Sequence, residues 1–236
     1  MIPARHLRGF DAVFRRYVGW LLRRSFRSVW VCGDATLPPD GFVAISNHAS
    51  WWDGLIPYAV QGAVAPDVPF FLMMDQSQLR RYWFFRYAGA FSIDAGSPRD
   101  AARSVAYAAD RAAGGGGVWI YPQGRLEPGD PQRFHGGYVH AARRAQKPIV
   151  VVALRLAFLE SQRPDAFVDI APALNAHQTN PNARALETLC ERLSSIDSKI
   201  AAGTVFDGRR SLFTPAPGPD SVTARLGAIP GDRFAR

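Results

Sequence analysis

The run Asn47-His48-Ala49-Ser50-Trp51-Trp52-Asp53-Gly54 places a histidine five positions before an aspartate. An imidazole with a carboxylate on one ring nitrogen is the usual route to a general base near neutral pH. The spacing restricts how the two can meet. On a continuous helix five residues rotate by about 500°, leaving His48 and Asp53 about 140° apart. The chain must therefore turn between them, as it does where a strand end enters a helix. The apolar run Gly41-Phe42-Val43-Ala44-Ile45-Ser46 directly upstream supplies such a strand. Active sites of open α/β sheets collect at these strand-to-helix turns.

Hydrophobic spacing gives the elements that must hold this pair. Residues 7–30 read as an amphipathic helix: Leu7, Phe10, Phe14, Val18, Leu21 and Leu22 recur at helical spacing, and Phe26, Val29 and Trp30 continue the stripe. Arg8, Arg15, Arg16, Arg23, Arg24 and Arg27 fill much of the remainder. Such a helix can lie in a membrane interface or pack on a domain with its arginines solvated, and the pattern allows both. A turn at Pro38-Pro39-Asp40-Gly41 precedes strand 42–46, and a short helix is expected over 54–60. Residues 69–74 read as a strand, 79–87 as a helix rich in aromatics and arginine, and 89–94 as a strand. A helix over 99–113 stops at four consecutive glycines. Strand 118–121 ends in the loop Pro122-Gln123-Gly124-Arg125. A helix over 137–145, strands over 148–157 and 167–171, and a helix over 182–201 follow. From Thr214 the chain is rich in Pro, Gly and Arg and reads as irregular. Strands alternating with helices predict an α/β fold with a mixed, largely parallel sheet flanked by helices. The expected organisation is an amphipathic N-terminal helix over 1–33, one domain over 34–213 and an irregular tail over 214–236.

Composition sets outer bounds. A chain of 236 residues with 47% hydrophobic and 20% charged residues can bury a full core and is not a disordered sequence. Its formal charge is +8, carried almost wholly by arginine, since Lys147 and Lys199 are the only lysines. Arginine pairs with phosphate in a bidentate manner, which suits anionic lipid, a phosphorylated cofactor, an acidic carrier protein or nucleic acid. Cys32 and Cys190 are far apart and form neither a thiolate zinc motif nor a disulfide framework, so no metal is expected and a reducing setting fits. No uncharged apolar run approaches the ~18–20 residues that span a bilayer. The N-terminal arginines interrupt any secretory-signal core; an arginine-rich, acid-poor start is also a property of organellar transit peptides.

Four segments stand in order: the His48–Asp53 loop, 89–94, 121–125 and 147–154. Together they resemble the glycerolipid acyltransferase family, the lysophosphatidate acyltransferase-like enzymes. The family's motifs are Asn-His-x4-Asp, a Gly-x-Phe-x-Ile-Asp-Arg type segment, a Phe-Pro-Glu-Gly-Thr-Arg loop and a Pro-Ile-Val-Pro type strand. The resemblance covers roughly residues 40–155. It implies peripheral or monotopic attachment at the cytoplasmic face of a membrane and transfer of an acyl group from acyl-CoA or acyl carrier protein to a lipid hydroxyl, with no other cofactor. His48 and Asp53 are then the catalytic base and its orienting carboxylate. Asn47, Gln123, Gly124, Arg125 and Arg99 are expected to bind substrate. Acyl transfer needs a base on the hydroxyl, an orienting group and donors for the oxyanion, and the chain's residues agree with that chemistry. Ser50 is the nearest alternative nucleophile, but no Gly-x-Ser-x-Gly elbow exists.

The departures bear on the acceptor. Ala95 stands where the second motif ends in arginine, with Arg99 next in line. Gln123 replaces the glutamate of the third motif, and Arg125-Leu126 replaces Thr-Arg. Lost guanidinium contacts weaken phosphate recognition, so a glycolipid, a glycosylated carotenoid or an amino-acid lipid is as fitting an acceptor as a lysophospholipid. His135 and His140 follow the third motif, as substrate contacts or as surface histidines. Trp51 and Trp52 fit an acyl path, an interface or the core. Two other classes remain. One is a non-catalytic membrane-surface protein that keeps the fold; the other is a nucleic-acid binder, disfavoured because no such motif occurs.

Overall fold

In the computed structural model, which describes residues 1–32, 36–127, 129–159 and 161–213, the strand leading to His48 lies inside an eight-stranded sheet. The strands are β1 (Val29–Cys32), β2 (Phe42–Ser46), β3 (Phe70–Asp75), β4 (Ala90–Ile93), β5 (Gly117–Ile120), β6 (Ile149–Ala157), β7 (Asp165–Ile170) and β8 (Arg210–Ser211). Their order across the sheet is β4-β3-β5-β2-β6-β7-β1-β8. Only β6–β7 and β1–β8 pair antiparallel; the other neighbours are parallel. The helices are α1 (Arg8–Ser25), α2 (Leu55–Val64), α3 (Gln76–Arg81), α4 (Pro98–Ala113), α5 (Gly137–Ala145) and α6 (Pro181–Ala201).

Every residue of β2 is buried, because helices cover both faces of the sheet. Its side chains alternate: Val43 and Ile45 enter a core shared with α4, α5 and α6, and Phe42 and Ala44 enter one shared with α1 and α2. Gly41 leads into the strand at φ +100°, and a Cβ there would sit 2.4 Å from the Ala112 carbonyl oxygen. Only glycine fits this entry. The outer edge of β4 is covered by the N-terminal segment, where Ile2 and Ser92 exchange bonds of 2.6 and 2.9 Å.

The α/β fold with a mixed, largely parallel sheet matches the expectation, and several elements need correction. The helix expected over 7–30 ends at Ser25, and Val29–Cys32 form β1 against β7. The apolar positions Val29 and Trp30 fit both patterns; the Arg27–Asp165 ion pair at 2.8 Å and the β-branched valines beside β7 settle on strand. The helix expected over 79–87 is instead α3 followed, after Tyr82, by a 3-10 turn over Trp83–Ala88. Asp75 starts α3 early by accepting from the N–H groups of Ser77 and Gln78. The short helix expected over 54–60 runs on to Val64. The pair β8 had no signal in two residues. The tail over 214–236 lies outside the described residues.

The α1 stripe, which the pattern left open, packs inward along one face. Phe14, Val18 and Leu22 are buried among α2, β-strands and the Trp83–Ala88 turn, with Phe10 and Leu21 beside them. These residues form core. The large apolar side chains α1 leaves in solvent are Val13, Tyr17 and Trp20, each at least half exposed.

Candidate active site

β2 and β5 are parallel neighbours, with Ile45 paired to Ile120, so Asn47-His48 and Tyr121-Pro122 leave the sheet side by side at its C-terminal edge. Three contacts fix the His48 peptide there. The Asn47 side chain donates to the Leu154 carbonyl and accepts from the Leu154 N–H, both at 2.9 Å. This extends the β2–β6 ladder one step past its last backbone pair, Ser46 with Val152. The Gln123 side-chain oxygen accepts from the His48 N–H at 2.7 Å. The His48 carbonyl accepts from the Glu127 N–H at 2.8 Å.

The turn required between His48 and Asp53 is present as a 3-10 turn over Trp51–Gly54, begun by a capping box in which Ser50 and Asp53 bond reciprocally. Asp53 Oδ2 meets His48 Nδ1 at 2.8 Å and also accepts from the N–H groups of Ala49 at 2.7 Å and Ser50 at 2.8 Å. Its other oxygen accepts from the Ser50 hydroxyl. A carboxylate with two backbone donors already on Oδ2 can only accept from the imidazole, so Nδ1 carries the proton and Nε2 is the basic nitrogen. The two side chains differ in access: His48 is 27% exposed and Asp53 1%. The imidazole is accessible and its partner is sealed from water.

Below the imidazole lies Tyr121, with ring centroids 4.5 Å apart and planes at 23°. Its hydroxyl donates to the Asp53 carbonyl oxygen. Burial, and then the Asp53 charge, push the phenol pKa well above 10, so it remains a donor. Tyr121 thus fixes the ring plane of His48 and the backbone of Asp53 together.

The structure redistributes the residues expected to touch substrate. Asn47 is 1% exposed with its amide engaged on Leu154, and Gln123 spends its oxygen on His48. Both side chains are engaged in holding the His48 backbone in place. The Gln123 amide nitrogen faces Glu127 at 3.4 Å; a glutamate there would set two carboxylates against each other, which accounts for glutamine at this position. Gly124 turns the loop at φ +75°, with the His135 ring 3.2 Å from where a Cβ would stand. Arg125 is exposed at the loop and ion-paired with Glu127. That pair, then Gln123, holds the Glu127 carboxyl below the usual range. Arg99 stands exposed in the first turn of α4, the helix that follows β4, with β3 and β5 between that strand and β2. Among the described residues no hydrogen bond or ion pair ties it to His48 or the 121–127 loop. Trp52 packs edge-on to Phe26 at 4.9 Å as core, whereas Trp51 is exposed beside the site.

Tyr121 and Glu127 were not singled out from sequence as functional side chains. Tyr121 had the position just past a strand as its signal; Glu127 had none. Ser50 carried a readable signal, since Ser-x-x-Asp is a capping pattern.

A buried carboxylate orienting an accessible imidazole, set at the mouth of a largely parallel sheet, describes a base-catalysed transferase or hydrolase. A model of the Acyltransferase family matches residues 28–155, and the chain belongs to that family. Among solved structures it is similar to the 1-acyl-sn-glycerophosphate (LPA) acyltransferase PlsC from Thermotoga maritima, with a TM-score of 0.54 at 14% identity over 80% of this chain and 79% of that one. A search of curated proteins finds no match.

Proposed function

We propose that this acyltransferase moves a fatty acyl group from a thioester, on coenzyme A or acyl carrier protein, to the hydroxyl of a membrane lipid. The observation that carries the reading is His48, protonated at Nδ1 against buried Asp53 and open at Nε2. Nε2 takes the proton of the acceptor hydroxyl as its oxygen attacks the thioester carbonyl. The C–O bond forms and the tetrahedral intermediate expels the thiolate, breaking C–S. The imidazolium then returns its proton to the thiolate sulfur. Asp53 stabilises the transient imidazolium without itself becoming protonated. General-base assistance of this kind contributes about 10²–10⁴ in rate.

The acceptor in this reading is a lipid alcohol without a phosphomonoester, such as a glycolipid. Support comes from Ala95 at the usual arginine position, from Arg99 standing two strands beyond the β2–β5 pair at the start of α4, and from Arg125 being paired internally. The reading also places the chain peripherally on the cytoplasmic face of a membrane. No helix among the described residues is long and apolar enough to cross one. Val13, Tyr17 and Trp20 on α1 support surface contact. Phe14 and Phe84 link Tyr17 to Trp83 through ring contacts of 6.2, 6.4 and 6.4 Å, and Arg24 lies over Trp20 at 5.8 Å. Exposed aromatics rimmed by arginine suit an anionic lipid interface. The test is thioester consumption by purified protein with a lipid-alcohol pool, wild type against His48→Ala. Turnover should vanish in the variant while the fold persists; equal turnover would exclude His48 as the base.

A further inference from the structure

We infer that Glu127 sets the acceptor preference of this site, turning away phosphomonoester headgroups by holding Arg125 in an internal ion pair. The inference rests on the acyltransferase reading above and deepens it, since it names the residue that selects an uncharged lipid alcohol.

The loop bearing both side chains is fixed against the base. Gln123 holds the His48 N–H at 2.7 Å and the Glu127 N–H holds the His48 carbonyl at 2.8 Å, so residues 123–127 flank the catalytic histidine. Within this loop the Arg125 guanidinium bonds one Glu127 oxygen, and the Gln123 amide nitrogen lies 3.4 Å from the other. The carboxylate is therefore restrained on both oxygens. Arg125, then Gln123, favour its ionised form. The pair faces outward, with Arg125 74% and Glu127 36% exposed, where a headgroup can reach it.

An exposed ion pair contributes little to folding. Its effect on an incoming anion is different. A phosphomonoester must either displace Glu127 from the Nε–Nη2 edge of Arg125 or take the remaining guanidinium N–H groups, and in both cases it lies beside a carboxylate that two neighbours hold in place. Like charges brought together in this way discriminate strongly between ligands. A neutral polyol meets no such repulsion and can bond to both groups. Other charged or titratable side chains near the loop include Arg133, which acts on Glu127, His135 over Gly124, Tyr121 under His48, and the His48–Asp53 pair. Leu126, half exposed between Arg125 and Glu127, adds an apolar surface and no cation.

The experiment uses two probes that differ only in the phosphate, lysophosphatidate and monoacylglycerol of one chain length, competing for a common acyl thioester. The readout is the ratio of their kcat/KM values, which cancels any general loss of activity. Wild type should favour monoacylglycerol. Glu127→Gln keeps the backbone bond to His48 and removes the charge, and should raise the lysophosphatidate share about tenfold, the equivalent of about 1.4 kcal/mol. Adding Arg125→Leu should cancel the rise. Arg125→Leu alone, which leaves Glu127 unopposed, should lower the share below wild type. An unchanged ratio in both single variants, or wild-type preference for lysophosphatidate, overturns the inference while leaving the acyltransferase reading in place. A rise that survives in the double variant overturns the part assigned to Arg125 and points to His135. Acylation of neither probe by the wild type sinks the underlying reading and the inference with it.

Discussion

Replacing Asp53 by asparagine separates two things a carboxylate can do for a catalytic histidine: select its tautomer and stabilise its charged form. Asp53 Oδ2 receives His48 Nδ1 at 2.8 Å and the N–H groups of Ala49 and Ser50 at 2.7 and 2.8 Å, while Oδ1 receives only the Ser50 hydroxyl. An asparagine therefore has one favourable orientation. Its oxygen takes the place of Oδ2 and keeps all three N–H donors. Its amide nitrogen faces the Ser50 hydroxyl, which can rotate to accept. The Nδ1–H tautomer and the 3-10 turn both survive, and only the negative charge is lost. The difference between a charge-assisted and a neutral hydrogen bond is about 1–2 kcal/mol, and burial of the site (Asp53 is 1% exposed) favours a loss of up to about 3 kcal/mol. Turnover of Asp53→Asn should fall about ten- to a hundredfold. A carboxylate-to-amide change that flips the tautomer costs about 10⁴ in a hydrolase triad. Single-turnover thioester consumption, with circular dichroism to confirm folding, distinguishes the two. A loss as deep as that of His48→Ala would mean that the amide nitrogen faces Nδ1, and the argument from the two backbone donors would be wrong. Wild-type turnover would mean that no imidazolium forms in the rate-limiting step.

Two further outcomes follow from the same geometry. Asn47→Ala leaves the buried N–H and carbonyl of Leu154 without the 2.9 Å bonds that now satisfy them, at about 1–3 kcal/mol each. Thermal unfolding should show a clear fall in Tm, and an unchanged Tm would show that this ladder extension contributes nothing. Changing Val13, Tyr17 and Trp20 together to serine removes exposed apolar surface while keeping the buried Phe14, Val18 and Leu22 of the α1 core face. Sedimentation with anionic-lipid vesicles should drop several-fold, whereas retained binding would move the contact to the Trp83–Ala88 turn or Trp51.

The spacing of His48 and Asp53 behind an apolar strand already required a strand-to-helix turn at a sheet mouth, because no continuous helix lets five residues bring two side chains together. The alternation of strands and helices, and with it the α/β fold, was legible for the same reason: hydrophobic period is a local property of the chain. What the period could not decide was the partner. Val29 and Trp30 continue a helical stripe as well as they begin a strand, and pairing of β1 with residues 166–169, far along the chain, made them a strand. The α1 stripe was equally consistent with lipid or core until α2 and the Trp83–Ala88 turn covered it. Asn47 lies next to the base in sequence, yet its hydrogen bonds go to Leu154, 107 positions away. Gln123 and Glu127 reach His48 only because β5 lies beside β2. Residue types and local spacing determine which groups can act as base, orienting acid and turn; hydrogen-bond partners and burial depend on which distant segments become neighbours, and that is decided only when the sheet is assembled.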